Sequence, residues 1–270
     1  MAGICNPHET RVAELQAILK KYSPGQTIRS KEKRPKNPPK QTRIGIFGAP
    51  GVGKSAFINS LLYVTGESWN HVAPEGYVEQ QSTTMKRDAY DLTDHLVVCD
   101  NRGMVEFSQK FMGEVKYQIG GVRRDGERVV WDKGRIERLN AYLNSKWTST
   151  SDNKLSEIHC AVIVVSGENL LVKAADLADL VQTIRRMTGV PPIFIITHKA
   201  SASGSVSHFK SDLLSLEIQY VFEIENYTVK NHIQDVAKHV ELLEALNQCT
   251  LVADRALQYA ESQGSTCILL

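Results

Sequence analysis

The sequence predicts an α/β three-layer sandwich on a mostly parallel central sheet, with a short N-terminal helix and a basic linker added in front. Three observations carry that expectation. From residue 43 to residue 261, apolar strands alternate with helices of ordinary length, the pattern of a parallel sheet covered on both faces. The segment Gly48-Ala49-Pro50-Gly51-Val52-Gly53-Lys54-Ser55 satisfies G-x-x-x-x-G-K-[ST] at every fixed position. One strand later, His95-Leu96-Val97-Val98-Cys99 runs into Asp100, with Gly103 three residues on.

Val12, Leu15, Ile18 and Leu19 recur at helical spacing, so an amphipathic helix is expected over Glu9–Tyr22. The stretch Lys20 to Arg43 holds nine Lys and Arg against the single acid Glu32, in a chain whose net charge is only +2. With Pro24, Pro35, Pro38 and Pro39 it reads as an extended linker too poor in apolar residues to build a core. The β-branched run Arg43–Phe47 reads as a buried strand, Lys54–Tyr63 as a helix, Tyr90–Leu92 and His95–Cys99 as a strand pair, and Ser108–Gln118 as a helix. Gly120, Gly121 and Gly126 mark loops before a second helix near Gly134–Asn144. There follow a strand at Ile158–Val165, a helix at Ala174–Met187, a strand at Ile193–Thr197 and a helical turn at Ser211–Leu216. A strand at Tyr220–Ile224 and a long helix at His232–Glu261 complete the pattern. The organisation is therefore an N-terminal helix (1–23), a linker (24–42), a nucleotide-binding domain (43–262) with an insertion at about 105–157, and a flexible tail (263–270).

Composition bounds the function classes. Of the 270 residues, 42% are hydrophobic and 23% charged, which is the balance of a folded globular chain. No apolar run approaches the ~20 residues of a membrane-spanning helix, and Met1–Thr10 has no secretory pattern. Five widely spaced cysteines without a C-x-x-C pair argue against a disulfide framework or a zinc site and for a reducing compartment. His232, Asp235 and His239 share a helical spacing that reads as a polar face rather than a metal site.

The phosphate chemistry follows from the motif. Glycines without Cβ let the backbone N–H groups of the loop, Gly48 and Gly51 to Ala56, wrap a phosphate beside Pro50, and the following helix adds its N-terminal partial charge. Lys54 is placed to reach the β- and γ-phosphates and stabilise the charge developing there. Ser55 is placed to ligate Mg²⁺. Asp100, ending its strand, can hold the metal directly or through water, and the Gly103 N–H can sense the γ-phosphate. Thr84 or Thr83, in the polar Glu75–Thr84 segment, is the candidate to complete the Mg²⁺ shell as a switch loop.

With these motifs the chain resembles the P-loop GTPases, and within them the interferon-induced protein 44 family of GTP-binding-like proteins. The residues carrying the resemblance are the P-loop, Val98-Cys99-Asp100 with Gly103, the strand Ile158-His159-Cys160-Ala161-Val162-Ile163-Val164-Val165, Ile195-Ile196-Thr197-His198, and Asn226-Tyr227. The resemblance implies a GTPase-like fold, binding of GTP and GDP with Mg²⁺, and a setting in antiviral response or cell proliferation. Two departures bear on chemistry. The Asp that reads guanine in an N/T-K-x-D segment is replaced by Ala200, after Thr197-His198-Lys199. Lys199 can still pack along a base, and Asn226 or Tyr227 can border it. Met104 stands where related enzymes carry a water-orienting Gln, and Pro50 stiffens the loop. Turnover is therefore expected to be slow, or to depend on Glu106 or on a partner. The insertion carries Arg123, Arg124, Arg135, Arg138, Trp131 and Trp147, either as an effector surface or as a subdomain packing its own aromatics.

The chain ends Cys267-Ile268-Leu269-Leu270, a C-a-a-X pattern with terminal Leu that predicts geranylgeranylation of Cys267. One lipid gives only marginal membrane binding, so a second signal is expected, and the basic segment Arg29–Arg43 can supply it. That segment lacks interleaved aromatics, which disfavours nucleic acid. The reading is thus a membrane-tethered guanine-nucleotide switch on a cytosolic membrane face, acting through protein effectors the sequence does not name. A non-hydrolysing GTPase-like scaffold is the alternative, and a P-loop kinase or ATPase a third reading.

Overall fold

The computed structural model describes residues 6–29, 34–66, 68–74, 86–104, 107, 111–129, 155–170, 172–202 and 204–263, with the backbone alone of 77–78 and 81–82. The fold is the α/β sandwich that the strand–helix alternation predicts. Six strands form one sheet in the order β4-β5-β1-β6-β7-β8. They are β1 (Thr42–Phe47), β4 (Asp88–Thr93), β5 (Leu96–Asp100), β6 (Cys160–Ser166), β7 (Ile193–Thr197) and β8 (Val221–Glu223). Only β4 runs antiparallel to its neighbour; every other pairing is parallel. The tiny pair β2 (Tyr77–Val78) and β3 (Gln81–Ser82), which periodicity does not reveal, forms a separate ribbon.

Because side chains alternate along a strand, each central strand feeds two cores. Ile44, Ile46, Val98, Val162, Val164, Ile193 and Ile195 face α1 (Pro7–Lys21), α2 (Lys54–Thr65) and α6 (Val236–Ser262). Phe47, Val97, Ala161, Ile163, Val165, Phe194 and Ile196 face α3 (Met112–Ile119), α4 (Ala178–Thr188) and α5 (Val206–Ser215). Gly45 lies on the second face, where a Cβ would come within 2.7 Å of Ile158.

Several elements differ from expectation for identifiable reasons. The helical turn expected at Ser211–Leu216 is a longer helix, since Val206, Phe209 and Leu213 together bury one face. The long C-terminal helix starts later than His232 because Asp235 caps it, accepting from Ala237 N and Lys238 N. The second insertion helix near Gly134–Asn144 falls outside the described residues, as do Arg135, Arg138, Trp131 and Trp147. Arg123, a candidate for an effector surface, is mostly buried and forks onto Glu114 (2.7 and 2.8 Å).

The N-terminal helix is a layer of the same core rather than an appendage: Leu15, Leu19 and Tyr22 are buried against the α6 side. The segment after it, expected as an extended linker, is anchored through residue 29. The buried carboxylate of Asp254 accepts from Tyr22 Oη (2.7 Å), Gly25 N (2.8 Å), Thr27 N (2.8 Å) and Thr27 Oγ1 (2.7 Å). A carboxylate buried this way needs such donors to offset its lost hydration, so the sequence around Asp254 selects a docked strap. Among the described residues no helix is long and apolar enough to cross a membrane.

Candidate functional site

At the carboxyl end of β1 the chain turns through Gly48–Gly53 into α2. Gly48, Gly51 and Gly53 adopt positive φ (149°, 78° and 88°), and a Cβ on Gly48 would lie 2.3 Å from Val164 O. Gly53 caps α2 without any side-chain hydrogen bond, so no side chain competes for the amides of the first helical turn. Lys54 is buried, and its Nζ donates to Ala49 O (2.8 Å) across the loop. Burial pushes the Lys54 ammonium down to about 8, against the opposing pull of Asp100. A lysine already stripped of water and pointed across the loop is prepared for a phosphate, which would restore the favourable field. Ser55 Oγ donates to Asp100 Oδ2 (2.9 Å), so the hydroxyl and the fully buried carboxylate meet at one point. A hydroxyl and a carboxylate beside a phosphate-type loop form an all-oxygen donor set of the kind Mg²⁺ takes.

Behind Asp100, Asn101 is buried and donates to Ile46 O (3.1 Å), locking the end of β5 to β1. Gly103 lies against Pro50, where a Cβ would approach the Pro50 backbone within 2.8 Å, and Met104 N donates to Gly48 O (2.9 Å). The Met104 side chain is wholly buried in the core beside Phe47 and Cys99. Wholly buried and apolar, it offers no polar group to a water at the loop. Thr83, Thr84 and Glu106 lie outside the described residues.

The ends of β7 and β8 close on the same loop. Thr197 Oγ1 donates to Val52 O (2.7 Å), and Asn226 Nδ2 donates to Gly53 O (3.2 Å), so β7 and the chain after β8 both grip the P-loop backbone. Lys199 forms an ion pair with Glu241 on α6. Tyr227 is buried behind α2, its N–H bonded to Ser60 Oγ (2.9 Å) and its ring edge-on to Tyr63, so it does not border an open site. His239 faces Tyr227 Oη (2.8 Å), His232 stacks on Trp69, and Asp235 caps α6, so that triplet is spent on packing and capping.

Two residues at this end, His198 and Glu225, receive no role from the sequence. His198 takes φ 55°, an uncommon conformation for a side-chain-bearing residue, with its Nδ1 3.1 Å from Ser166 Oγ. Glu225, half-exposed after β8, accepts from Ala200 N through Oε2 (2.8 Å), putting a carboxylate at the position whose own side chain is only a methyl. The signal for Glu225 was not in any motif. It lay in the pairing of β7 with β8, which sets the residues following both strands side by side.

No protein-family model matches the chain. Among curated proteins it is 24% identical over 243 residues to Interferon-induced protein 44 of Mus musculus, across 81% of this chain and 56% of that protein. The chain thus spans little more than half the length of that relative. Among solved structures it is similar to Toc33 from Arabidopsis thaliana in complex with Mg²⁺ and GMPPNP, with a TM-score of 0.48, 13% identity and coverage of 92% of each chain. It is similar also to a septin GTPase domain from Chlamydomonas reinhardtii, with a TM-score of 0.44, 12% identity and coverage of 83% of this chain and 98% of that one.

Proposed function

We propose that the chain binds GTP and GDP with Mg²⁺ and works as a switch whose hydrolysis is slow or depends on a partner. The observation that carries this reading is the convergence of Lys54, Ser55 and Asp100 at the mouth of a glycine loop. In this reading the loop amides from Gly48 to Ala56, all but that of Pro50, hold the phosphates, with Pro50 lining the loop and Lys54 reaching across it. Ser55 and Asp100 hold Mg²⁺, with Thr84 or Thr83 joining when a γ-phosphate is present. The bound metal would supply charge neutralisation between the β- and γ-phosphates. Gly103 N–H is the candidate sensor of the third phosphate. The donor set and the buried lysine support live nucleotide binding over the alternative of a nucleotide-free scaffold.

The base end favours guanine. Guanine offers its ring N1–H and exocyclic amino group side by side, two donors that a carboxylate matches with two acceptors, whereas adenine offers an acceptor at N1. Glu225 supplies the carboxylate that Ala200 lacks, and His198, fixed between Ser166 and Thr197, is the ring available to lie along the base. Asn226 and Lys199 border this end. Met104, buried in the core, orients no water, so an attacking water must be placed by Glu106 or by a partner.

The membrane reading belongs to this proposal: geranylgeranylation of Cys267, seconded by the basic segment, would hold the protein on a cytosolic membrane face. The name of the mouse relative places that protein among interferon-induced ones, and an antiviral setting for this chain is the corresponding expectation. The deciding experiment is calorimetric titration with GTP, GDP, a non-hydrolysable GTP analogue and ATP in Mg²⁺, followed by phosphate release. Micromolar guanine binding with slow release supports the switch; absence of binding to every nucleotide leaves a scaffold. Replacing Cys267 by Ser should move the protein from the membrane to the soluble fraction of cells, and continued membrane residence would defeat the lipid tether.

A further inference from the structure

Helices α1 and α6 lie side by side and point the same way. Arg11, early in α1, pairs with Glu244 (3.3 Å), while Tyr22, at its end, reaches Asp254 (2.7 Å). Both helices therefore finish at one pole. That pole is the edge of the sheet where β1 begins, since Tyr22 Oη also meets Thr42 Oγ1 (2.8 Å). From Thr42, β1 carries the chain about 17 Å toward the P-loop at its other end. The end of α1, the strap that follows it and the end of α6 at Ser262 thus sit opposite the phosphate loop.

The strap is not a loose tether at its root. Asp254 fixes Tyr22, Gly25 and Thr27, and Arg34 donates to Ile28 O (3.2 Å). Around this anchored root Lys20, Lys21, Arg29, Arg34, Lys36 and Lys40 are all exposed. No acid occurs among the described residues from 20 to 41. Asp91 and Asp94 of the β4–β5 hairpin bound the patch on one side, where Gln41 donates to Asp91 (3.1 Å) and to Asp94 O (3.4 Å), and the Asp254 carboxylate beneath it is spent on the donors of the strap. Tyr22, the aromatic of the stretch from 20 to 41, is buried, so that stretch offers no ring on which a nucleic-acid base could stack.

We propose that this pole is a docking surface for an anionic lipid bilayer, seated so that the phosphate loop faces away from the membrane. The inference rests on the membrane reading above and adds to it a fixed face and an orientation. A bilayer is a broad sheet of negative charge that cations spread over one pole can meet together, each near-surface Lys or Arg strengthening partitioning about fivefold. The last turn of α6 ends at the same pole, so a lipid on the segment that follows would act alongside the cations rather than against them. Nucleotide then enters and leaves on the far side, open to soluble partners while the protein is docked.

The test uses the full chain without a lipid, with Cys5 and Cys267 changed to Ser, on phosphatidylserine-containing vesicles and on pure phosphatidylcholine vesicles. Salt-sensitive partitioning onto the former alone is expected. Neutralising the pole with K20Q, K21Q, K36Q and K40Q together should reduce it by about several hundredfold. Lys173→Gln, at the phosphate edge, should change it less than about twofold. A fluorophore on Ser23→Cys should be quenched by headgroup-labelled lipid, and one on Ser201→Cys, beside the base end, should not. Quenching at position 201, loss of binding through Lys173→Gln, or capture of RNA without vesicle binding would each overturn the proposal. So would no partitioning at all. If that last result came while the protein with Cys267 intact still fractionated with membranes in cells, the lipid tether would stand and this docking face would fall.

Discussion

The two ends of the proposed nucleotide site, one for phosphate and one for base, are built by opposite strategies. The phosphate end is nearly continuous in sequence: residues 48 to 56 form the loop and the first helical turn, and one further residue, Asp100, closes on Ser55. The base end is composite. Thr197, His198 and Ala200 follow β7, Glu225 and Asn226 follow β8, and each side holds the other or the P-loop through single hydrogen bonds. The contrast teaches that a contiguous anion cradle, whose backbone geometry is dictated by glycine, leaves a readable string. A surface assembled from two strand ends can present a carboxylate, as Glu225 is presented beside Ala200, with no trace in a motif.

The largest effect that would sharpen this contrast is at the phosphate end. Lys54→Ala should weaken GTP and ATP binding alike by more than about a hundredfold, because charge-assisted contacts to phosphate are worth about 1.5–3 kcal/mol each. Selective loss of one nucleotide would break the division of labour between the two ends. Glu225→Gln should instead leave triphosphate binding in place while cutting the preference for GTP over ATP by about tenfold to a hundredfold, the loss of one charge-assisted pair. Competition binding reads this directly, and an unchanged preference would remove Glu225 from base recognition.

A smaller effect tests how the ends communicate. Thr197→Val keeps the shape but removes the donor from Val52 O, and should cost about 1–2 kcal/mol of stability in urea unfolding. The same variant should weaken nucleotide binding about tenfold by loosening the loop. If the affinity held while stability fell, the bond would be structural alone. Smallest is the pH response. Lys54 in the free protein titrates at about 8, below its ordinary range, and binding needs the charged form. As pH rises through 8 the free protein loses that proton, so the dissociation constant should climb by up to about tenfold per pH unit, and stay flat below pH 7. Lys54→Arg, which does not titrate in this range, should abolish the slope.

Much of the fold could be read from the chain because its signals are local. Apolar strands such as Cys160–Ser166 are buried on both faces and announce themselves as continuous runs, and the glycine loop fixes where β1 ends and α2 begins. The short ribbon of β2 and β3 has two residues in each strand, too few to establish a period. The strap was misleading for a different reason. Its composition is that of a solvated linker, yet a single residue more than two hundred positions away, Asp254, supplies the acceptors that dock its root. Likewise Lys199, free to reach a base on paper, is paired with Glu241 across the fold.

By itself, then, the sequence determined the alternation of strands and helices, the glycine loop with Lys54 and Ser55, and the carboxylate Asp100 that ends its strand. These follow from residue order, because glycine conformations, helix N-termini and strand periods act over a few neighbouring residues. Only the tertiary structure decided that Met104 faces the core, that Glu225 stands in front of Ala200, and that the basic strap and the ends of α1 and α6 gather at the pole opposite the phosphates. Those arrangements depend on which strands lie adjacent and on how two helices run relative to each other. Buried donors and acceptors far apart in the chain settle both, each needing a partner once water is excluded.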